Sequence, residues 1–208
     1  MPSRPWVAKL TGVFVSVLAV GTVSVAGCML WELQFAERFG HEAPTWIPLS
    51  GVYGGKAHSI VKALDTDPAV DLGPAKTFSE AQLRLSPANH YAWLRLAFID
   101  VVETGNLSPR GVAFLQRSYD VAPYDALTWR ISMAFETWPS LPPDLKAAVI
   151  DELKVNWRTG RRRRLYSGLP KAVHNVQGLA ALNAVLEELQ ADDRARYRQE
   201  KLLKDSKL

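Results

Sequence analysis

The sequence predicts an all-α protein, built from an N-terminal transmembrane helix, a short stack of antiparallel helix pairs and a C-terminal capping helix. Three observations support this fold class. A run of 22 residues without a formal charge lies near the N-terminus. A pattern around Pro87 returns 36 residues later around Pro123. The segments between and after them carry apolar residues at helical spacing, and no alternating apolar run requires a sheet.

The uncharged run covers residues 10–31. At about 1.5 Å per residue, a helix of this length spans about 33 Å, enough to cross a hydrocarbon core of about 30 Å. Trp6 and Trp31 fall near its two ends, where an amphipathic ring prefers the membrane interface. We therefore expect a single-pass anchor over residues 10–31, preceded by a short cytoplasmic N-terminus over residues 1–9.

Two processed forms compete with the uncleaved anchor. Val25-Ala26-Gly27-Cys28 resembles the motif at which bacterial lipoprotein signals are cut before a lipid-modified cysteine, so Cys28 is a candidate lipidation site. The residues just before it also fit the small-x-small pattern of a cleaved signal peptide. The apolar stretch continues past Cys28 to Trp31, which favours the uncleaved helix.

The flanking charges predict the orientation of this segment. Arg4 and Lys9 precede it, whereas Arg38 is the only nearby basic residue that follows it. Basic residues favour the cytoplasmic side, so the N-terminus is predicted to lie inside the cell. All three N-terminal forms then place residues 32–208 outside the cytoplasmic (inner) membrane, in the periplasm of a cell with two membranes.

The rest of the chain divides into a linker and a series of helices. Residues 32–55 are predicted to be a linker, because their second half mixes glycine, proline and aromatic residues without a helical period. The next segment, residues 56–158, is predicted to hold helical repeats. Its helices are expected at residues 56–64, 74–85, 89–104, 108–121, 125–138 and 144–158.

The pattern repeated around the two prolines predicts the same local structure twice. Pro87 and Pro123 lack the backbone donor that a helix interior needs, so each is expected to end a helix. Asn89 and Asp125 carry side-chain oxygens that can accept from the free N–H groups of the first helical turn that follows. A self-similar period of this size is typical of stacked helix pairs.

Trp93 and Trp129 follow the two prolines by six residues, and the small residues Ala75 and Gly111 precede them by twelve. These spacings resemble the tetratricopeptide repeat family, over about residues 56–158. The period of 36 exceeds the family's usual value of about 34.

The resemblance implies a right-handed stack of helix pairs whose concave face holds a protein segment. Asp100 and Glu136 stand where a tyrosine is common in the family. The residues expected to serve packing between repeats are Trp93, Trp129, Pro87 and Pro123.

The positive charge is concentrated in the last quarter of the chain. Residues 154–208 hold thirteen Lys and Arg against six Asp and Glu, although the whole chain has a net charge of +4. Arg161-Arg162-Arg163-Arg164 lies in a predicted basic loop over residues 159–168, with Arg158 and Lys171 close by. Arginine presents a planar fork suited to phosphate or carboxylate. These six residues are either a solvated surface or a contact for anionic lipid, anionic glycan or an acidic partner.

Residues 169–208 are predicted to form a C-terminal helix and a charged tail. Leucines recur at positions 179, 182, 186 and 189, which favours a helix over about residues 170–190 that caps the stack. From residue 192 onward the chain is strongly charged, and we expect a solvated, fraying helix or tail.

No arrangement of residues predicts catalysis, a cofactor or a metal. The histidines at positions 41, 58, 90 and 174 form no metal-binding spacing, and the aspartates at 65, 67 and 71 lack the glycine and glutamate of a calcium loop. A single cysteine excludes an internal disulfide. We therefore expect a protein without enzymatic activity.

The function expected from these features is that of a membrane-anchored scaffold or adaptor in cell-envelope assembly. Surface-polysaccharide biosynthesis or export and secretion or pilus machineries are candidate processes, with envelope proteins as partners. One alternative is an accessory subunit of a multispan membrane enzyme, such as a glycan polymerase. Another is a lipoprotein that binds anionic glycan or lipid through Arg161–Arg164. Nucleic acid is not expected, because it would need the opposite membrane topology.

Overall fold

A computed structural model describes residues 49–125, 127–159 and 166–205, together with Thr22 and Gly27. Apart from those two residues, the anchor predicted over residues 10–31 lies outside the described part of the chain. In the part that is described, no helix combines the length and the apolar character needed to cross a membrane.

The described residues from 49 to 205 are all-helical, without a strand, which confirms the predicted all-α class. The seven α-helices are α1 (Ser50–Ala63), α2 (Gly73–Leu85), α3 (His90–Thr104), α4 (Pro109–Val121), α5 (Thr128–Glu136), α6 (Pro143–Arg158) and α7 (Val176–Asp205). Two short 3₁₀ helices lie at Trp138–Ser140 and Leu169–Lys171. The chain forms two compact units, divided between Pro87 and Ala88.

The first unit is a hairpin of α1 and α2. Gly54, early in α1, lies against the side chain of Gln82, late in α2, so the two helices run in opposite directions. The ring of Tyr53 stacks on that of Phe78 at a centroid distance of 6.2 Å. Ala75 is fully buried, as expected of a small residue that lets two helices approach closely.

The second unit holds α3 to α7 around one apolar core. Each helix contributes at least one side chain with no exposed surface, namely Leu94, Leu115, Ile131, Leu145 and Leu182. Burying a side chain of this size stabilises a fold by about 1.5–3 kcal/mol. The amphipathic spacing of these helices is therefore explained by a shared core.

Helices α3 and α4 form an antiparallel pair with well-defined ends. The side chain of Asn89 accepts a hydrogen bond from the backbone N–H of Ala92 at 3.0 Å, so the start signal predicted at Asn89 is confirmed. Gly105, at a φ of 76°, ends α3 in the left-handed region that glycine favours. Ser108 then caps α4 by accepting from the N–H of Gly111 at 3.2 Å.

Helix α5 packs mainly on α7, which follows α6 in the chain. It packs more extensively on α7 than on α6, and Gly178, early in α7, lies against the backbone of Phe135, late in α5. Gly178 is the third residue of its helix, as Ala75 and Gly111 are of theirs. In the sequence, the region of helix pairs was expected to end at residue 158. In the structure, α7, which follows that residue, also packs against α5.

Three helices, α1, α5 and α7, differ from their predicted ranges by more than one residue. Helix α1 begins at Ser50, so residues 50–55 are helical and not part of the linker. Gly54 and Gly55 are buried, and Gly54 allows the side chain of Gln82 to approach closely. Composition alone does not distinguish such packing glycines from those of a flexible loop. Helix α5 is shorter than expected at both ends, and α7 begins at Val176 and continues as one helix through Asp205.

Candidate functional site

Two charged groups of the described chain, on Arg130 near the start of α5 and on Glu152, are completely buried. Neither Arg130 nor its partner Glu152, on α6, has any exposed side-chain surface. Nε of Arg130 donates to Glu152 at 3.2 Å, and Nη2 donates to the other carboxylate oxygen. Burial of an unpaired charge would be prohibitive, so these two groups are held as one unit.

The same guanidinium also holds the turn that carries Pro123. Its Nη1 donates to the carbonyl oxygens of Ser118 at 3.2 Å and Ala122 at 2.8 Å, and Nη2 approaches the carbonyl of Pro123 at 3.4 Å. Arg130 thereby ties the C-terminal end of α4 to α5 and α6. We call Arg130, Glu152 and these three carbonyl groups the arginine clamp.

The arginine clamp was not among the predicted sites, although the sequence carries one signal of it. Glu152 lies on the apolar stripe of α6. It is the third residue after Val149 and directly precedes Leu153, and both of these residues are fully buried. A charged residue on the buried face of an amphipathic helix needs a partner. The identity of that partner, 22 residues earlier in the chain, was not predictable from spacing.

The phenol of Tyr119 completes this buried polar cluster. The Arg130 guanidinium lies over its ring at 4.1 Å from the centroid, and Tyr119 is 3% exposed. Burial, followed by the negative charge of Glu152, raises the pKa of the Tyr119 phenol well above its usual 10.0. The Tyr119 phenol therefore loses its proton at a lower pH in the unfolded chain than in the folded chain.

This shift predicts a loss of stability in alkaline solution. Below pH 10.0 the contribution of Tyr119 to the free energy of unfolding is fully present. This contribution falls as the pH rises towards the folded-state pKa of the phenol. The slope attributable to one such group is at most about 1.4 kcal/mol per pH unit. Urea unfolding at neutral and alkaline pH should show a steeper loss in the wild type than in Tyr119→Phe. Equal slopes in the two proteins would contradict the prediction.

Asp100 and Glu136 lie 36 residues apart in the chain. Each carboxylate accepts hydrogen bonds from residues that lie just before another helix. The backbone N–H and the hydroxyl of Ser108 donate to Asp100 at 2.8 and 2.7 Å. The backbone N–H groups of His174 and Asn175 donate to Glu136 at 2.6 and 3.3 Å. Each carboxylate thus fixes the residues that begin the partner helix, α4 for Asp100 and α7 for Glu136. The positions that departed from the family pattern have a structural role.

Asp125 is the one start signal that was predicted wrongly. Helix α5 begins at Thr128 after Leu127, with no capping side chain, whereas Asp125 lies with its Oδ2 2.7 Å from Nε2 of His90. The imidazole of His90 also packs on the ring of Tyr91 at 4.2 Å. The two copies of the repeated turn therefore meet directly, and the side chain expected to cap a helix joins them instead.

The two repeated tryptophans contact different neighbours. The ring of Trp93 packs against Phe114 of α4 at a centroid distance of 5.9 Å, inside a helix pair. Trp129 of α5 meets the edge of Phe98 of α3 at 6.4 Å, between consecutive pairs. Pro87 and Pro123 lie in the turns that follow α2 and α4.

One face of α3 leaves large apolar groups in contact with solvent. Tyr91 and Val102 are 38% and 44% exposed, and Phe98 lies on the same stripe of the helix. Trp129, 37% exposed, extends this surface onto α5 through its contact with Phe98. We call these four residues the α3 face.

The predicted basic contact is described only in part. Arg158 is exposed at the end of α6, and Lys171 is exposed in the second 3₁₀ helix. Arg161, Arg162, Arg163 and Arg164 lie outside the described residues, as does the candidate lipidation site Cys28. Among the side chains that are described, no group of three or more His, Cys, Asp and Glu could hold a metal ion.

No model of a known protein family, no curated protein and no solved structure matches the chain. The resemblance to tetratricopeptide repeats therefore stays a prediction. The main features that the structure adds in the described chain are the arginine clamp, the two capping carboxylates and the α3 face.

Proposed function

We propose that the chain is a membrane-anchored, non-catalytic helical scaffold or adaptor that takes part in cell-envelope assembly outside the cytoplasmic membrane. The observation that supports this proposal best is the α3 face. It is an aromatic and aliphatic surface on a helix that also contributes Leu94 and Ala97 to a packed core. Aromatic side chains are enriched where proteins bind one another, and exposed apolar clusters mark such sites.

The surroundings of the α3 face support a preformed binding surface. Asp100 fixes the loop after α3, and the arginine clamp holds α5, which carries Trp129, to α4 and α6. A surface held in this way needs little ordering when a partner binds, so more of the contact energy remains as affinity. Trp129 and Tyr91 are the residue types that most often dominate such interfaces.

The location and the process are proposed on the sequence. The uncharged run over residues 10–31 and the basic residues before it support an inner-membrane anchor with the helices on the outer side. The partner is then an envelope protein, in surface-polysaccharide biosynthesis or export or in a secretion or pilus machinery.

A photo-crosslinking experiment in cells tests the proposed binding surface. A photoreactive amino acid is placed at Tyr91, at Val102 or, as the control, at Arg117, whose side chain is 53% exposed on α4. We expect one defined protein to be captured from Tyr91 and Val102 and not from Arg117. The captured protein is identified by mass spectrometry.

Two further results complete this test. The Tyr91→Ala/Val102→Ala variant should lose the captured partner on purification in mild detergent, whereas Arg117→Ala should retain it. Absence of any protein specific to the α3 face would contradict the scaffold proposal. Capture of a multispan membrane enzyme in a stable complex would instead assign the chain as an accessory subunit of that enzyme.

A further inference from the structure

The last part of α7 extends beyond the core of the second unit. Leu182 and Leu189 are 0% and 1% exposed, so the first half of the helix is packed against its neighbours. The Trp157 indole N–H donates to Asp193 at 2.9 Å near the middle of the helix. Every residue from 194 to 205 is then exposed. We call this exposed segment, residues 194–205, the α7 stalk.

The α7 stalk presents its positive charge on one side. Arg194, Arg198 and Lys201 are related by steps of four and three residues, so they lie within an arc of about 60° on the helix surface. This arc is turned about 130° away from the direction in which Leu182 and Leu189 meet the core. We call the three residues the basic stripe.

The other charges of the α7 stalk lie mostly elsewhere on the helix. Arg196 and Glu200 continue the core-facing direction of Leu189, about 120–160° from the centre of the basic stripe. Asp205 is the one carboxylate of the stalk on the stripe itself, at the end of the helix. The charge on the outward face is therefore positive along about two turns, from Arg194 to Lys201.

Two apolar side chains border the basic stripe. Tyr197 and Leu202 are 71% and 69% exposed, on either side of Arg198 and Lys201. Tyrosine and leucine beside long basic side chains are the combination found on helices that lie in a membrane interface. The basic stems can lie along the apolar region while their charged ends remain at the headgroups.

We infer that the basic stripe binds the anionic headgroups of a phospholipid bilayer, with the α7 stalk lying along the membrane surface. A single helix face is convex and offers long, flexible basic chains, which suits a flat surface of many equivalent anions more than a shaped protein pocket. Each basic residue near such a surface changes the affinity about fivefold, so three change it about 100-fold. This inference rests on the proposed function in one respect, which is that the chain works at a membrane.

The test measures hydrogen exchange of the α7 backbone in full-length protein placed in lipid nanodiscs. Nanodiscs of phosphatidylcholine are compared with nanodiscs that also contain phosphatidylglycerol. We expect amides of residues 194–204 to exchange several-fold more slowly in the anionic nanodiscs, and high salt to remove this protection because it screens the charges. Amides of residues 179–189, which are packed in the core, serve as the internal reference.

The matched variants are Arg198→Gln and Arg196→Gln, which remove the same charge from opposite sides of the helix. Arg198→Gln should weaken the protection and Arg196→Gln should leave most of it, whereas Arg194→Gln/Arg198→Gln/Lys201→Gln should abolish it. Equal effects of the two single changes, or protection that does not depend on phosphatidylglycerol, would overturn the inference. Protection by poly-glutamate without protection by lipid would overturn it in favour of an acidic protein.

The same experiment separates this inference from the proposed anchor. Insertion of the chain into nanodiscs reports the N-terminal segment, whereas exchange in the α7 stalk reports the basic stripe. If the chain does not insert, the anionic nanodiscs are added to the free protein. Slower exchange of residues 194–204 then supports lipid binding by the stalk without an anchor, and unchanged exchange overturns it.

Discussion

Replacement of Arg130 by methionine should lower the free energy of unfolding by about 3–5 kcal/mol. The change leaves the Glu152 carboxylate fully buried without its cation, and it removes the donor to the carbonyls of Ser118 and Ala122. The cost is therefore the desolvation of groups that lose their partners, added to the lost ion pair.

Urea unfolding followed by circular dichroism measures this change. The matched control is Arg117→Met, because Arg117 is 53% exposed and its ion pair with Asp120 spans 3.7 Å on the surface. An exposed pair of this kind is worth about 0–1 kcal/mol, so the control should stay close to the wild type.

A double variant shows whether the loss of stability comes from the unpaired, buried carboxylate of Glu152. Arg130→Met/Glu152→Leu leaves no buried ion, and it should recover part of the stability that Arg130→Met alone has lost. A loss below about 1 kcal/mol in Arg130→Met would show that water reaches Glu152 and that the arginine clamp is not a buried unit.

Substitution of Gly178 by alanine should destabilise the protein by about 2–3 kcal/mol. A Cβ at this position would overlap the carbonyl group of Phe135, and it would also crowd the Cβ of Trp138 at 3.2 Å. These atoms belong to backbone and to the stem of a side chain, so they are unable to move aside without separating α5 from α7. A loss of stability is the opposite of the usual result of a Gly→Ala change in a helix, because alanine stabilises a helix interior by about 1 kcal/mol relative to glycine.

Thermal unfolding of Gly178→Ala beside Gln177→Ala tests this contact. Gln177 precedes Gly178 in the first turn of α7 and is exposed, so its replacement should change stability by less than about 0.5 kcal/mol. A Gly178→Ala variant as stable as the wild type would show that α7 does not pack closely on α5.

Most of the helices between residues 73 and 158 could be predicted from the sequence. Helices α2, α3, α4 and α6 end at the predicted residues, and each begins within one residue of its predicted start. Their limits depend on signals within one turn of the chain, such as Asn89, Gly105 and the prolines, whose effect on the backbone is local. The all-α class follows from the same local information.

The tertiary structure alone decided which elements meet. Asp125 has the same side-chain chemistry as a helix cap, yet it contacts His90 because the two turns are brought together. The glycines of α1 resemble those of a linker until α2 packs against them. Likewise, α5 packs more extensively on α7 than on α6, and Gly178 provides the close approach of α7 to α5.

The arginine clamp shows the physical reason for this division. A helical period or a capping residue depends on residues three or four positions apart, so the local sequence is enough to specify a helix and its ends. The partner of a buried charge is chosen by distance in space and by the exclusion of water, here between residues 130 and 152. The sequence therefore determined the helices and their buried faces, whereas packing determined the clamp, the helix pairing and the surfaces left open for partners.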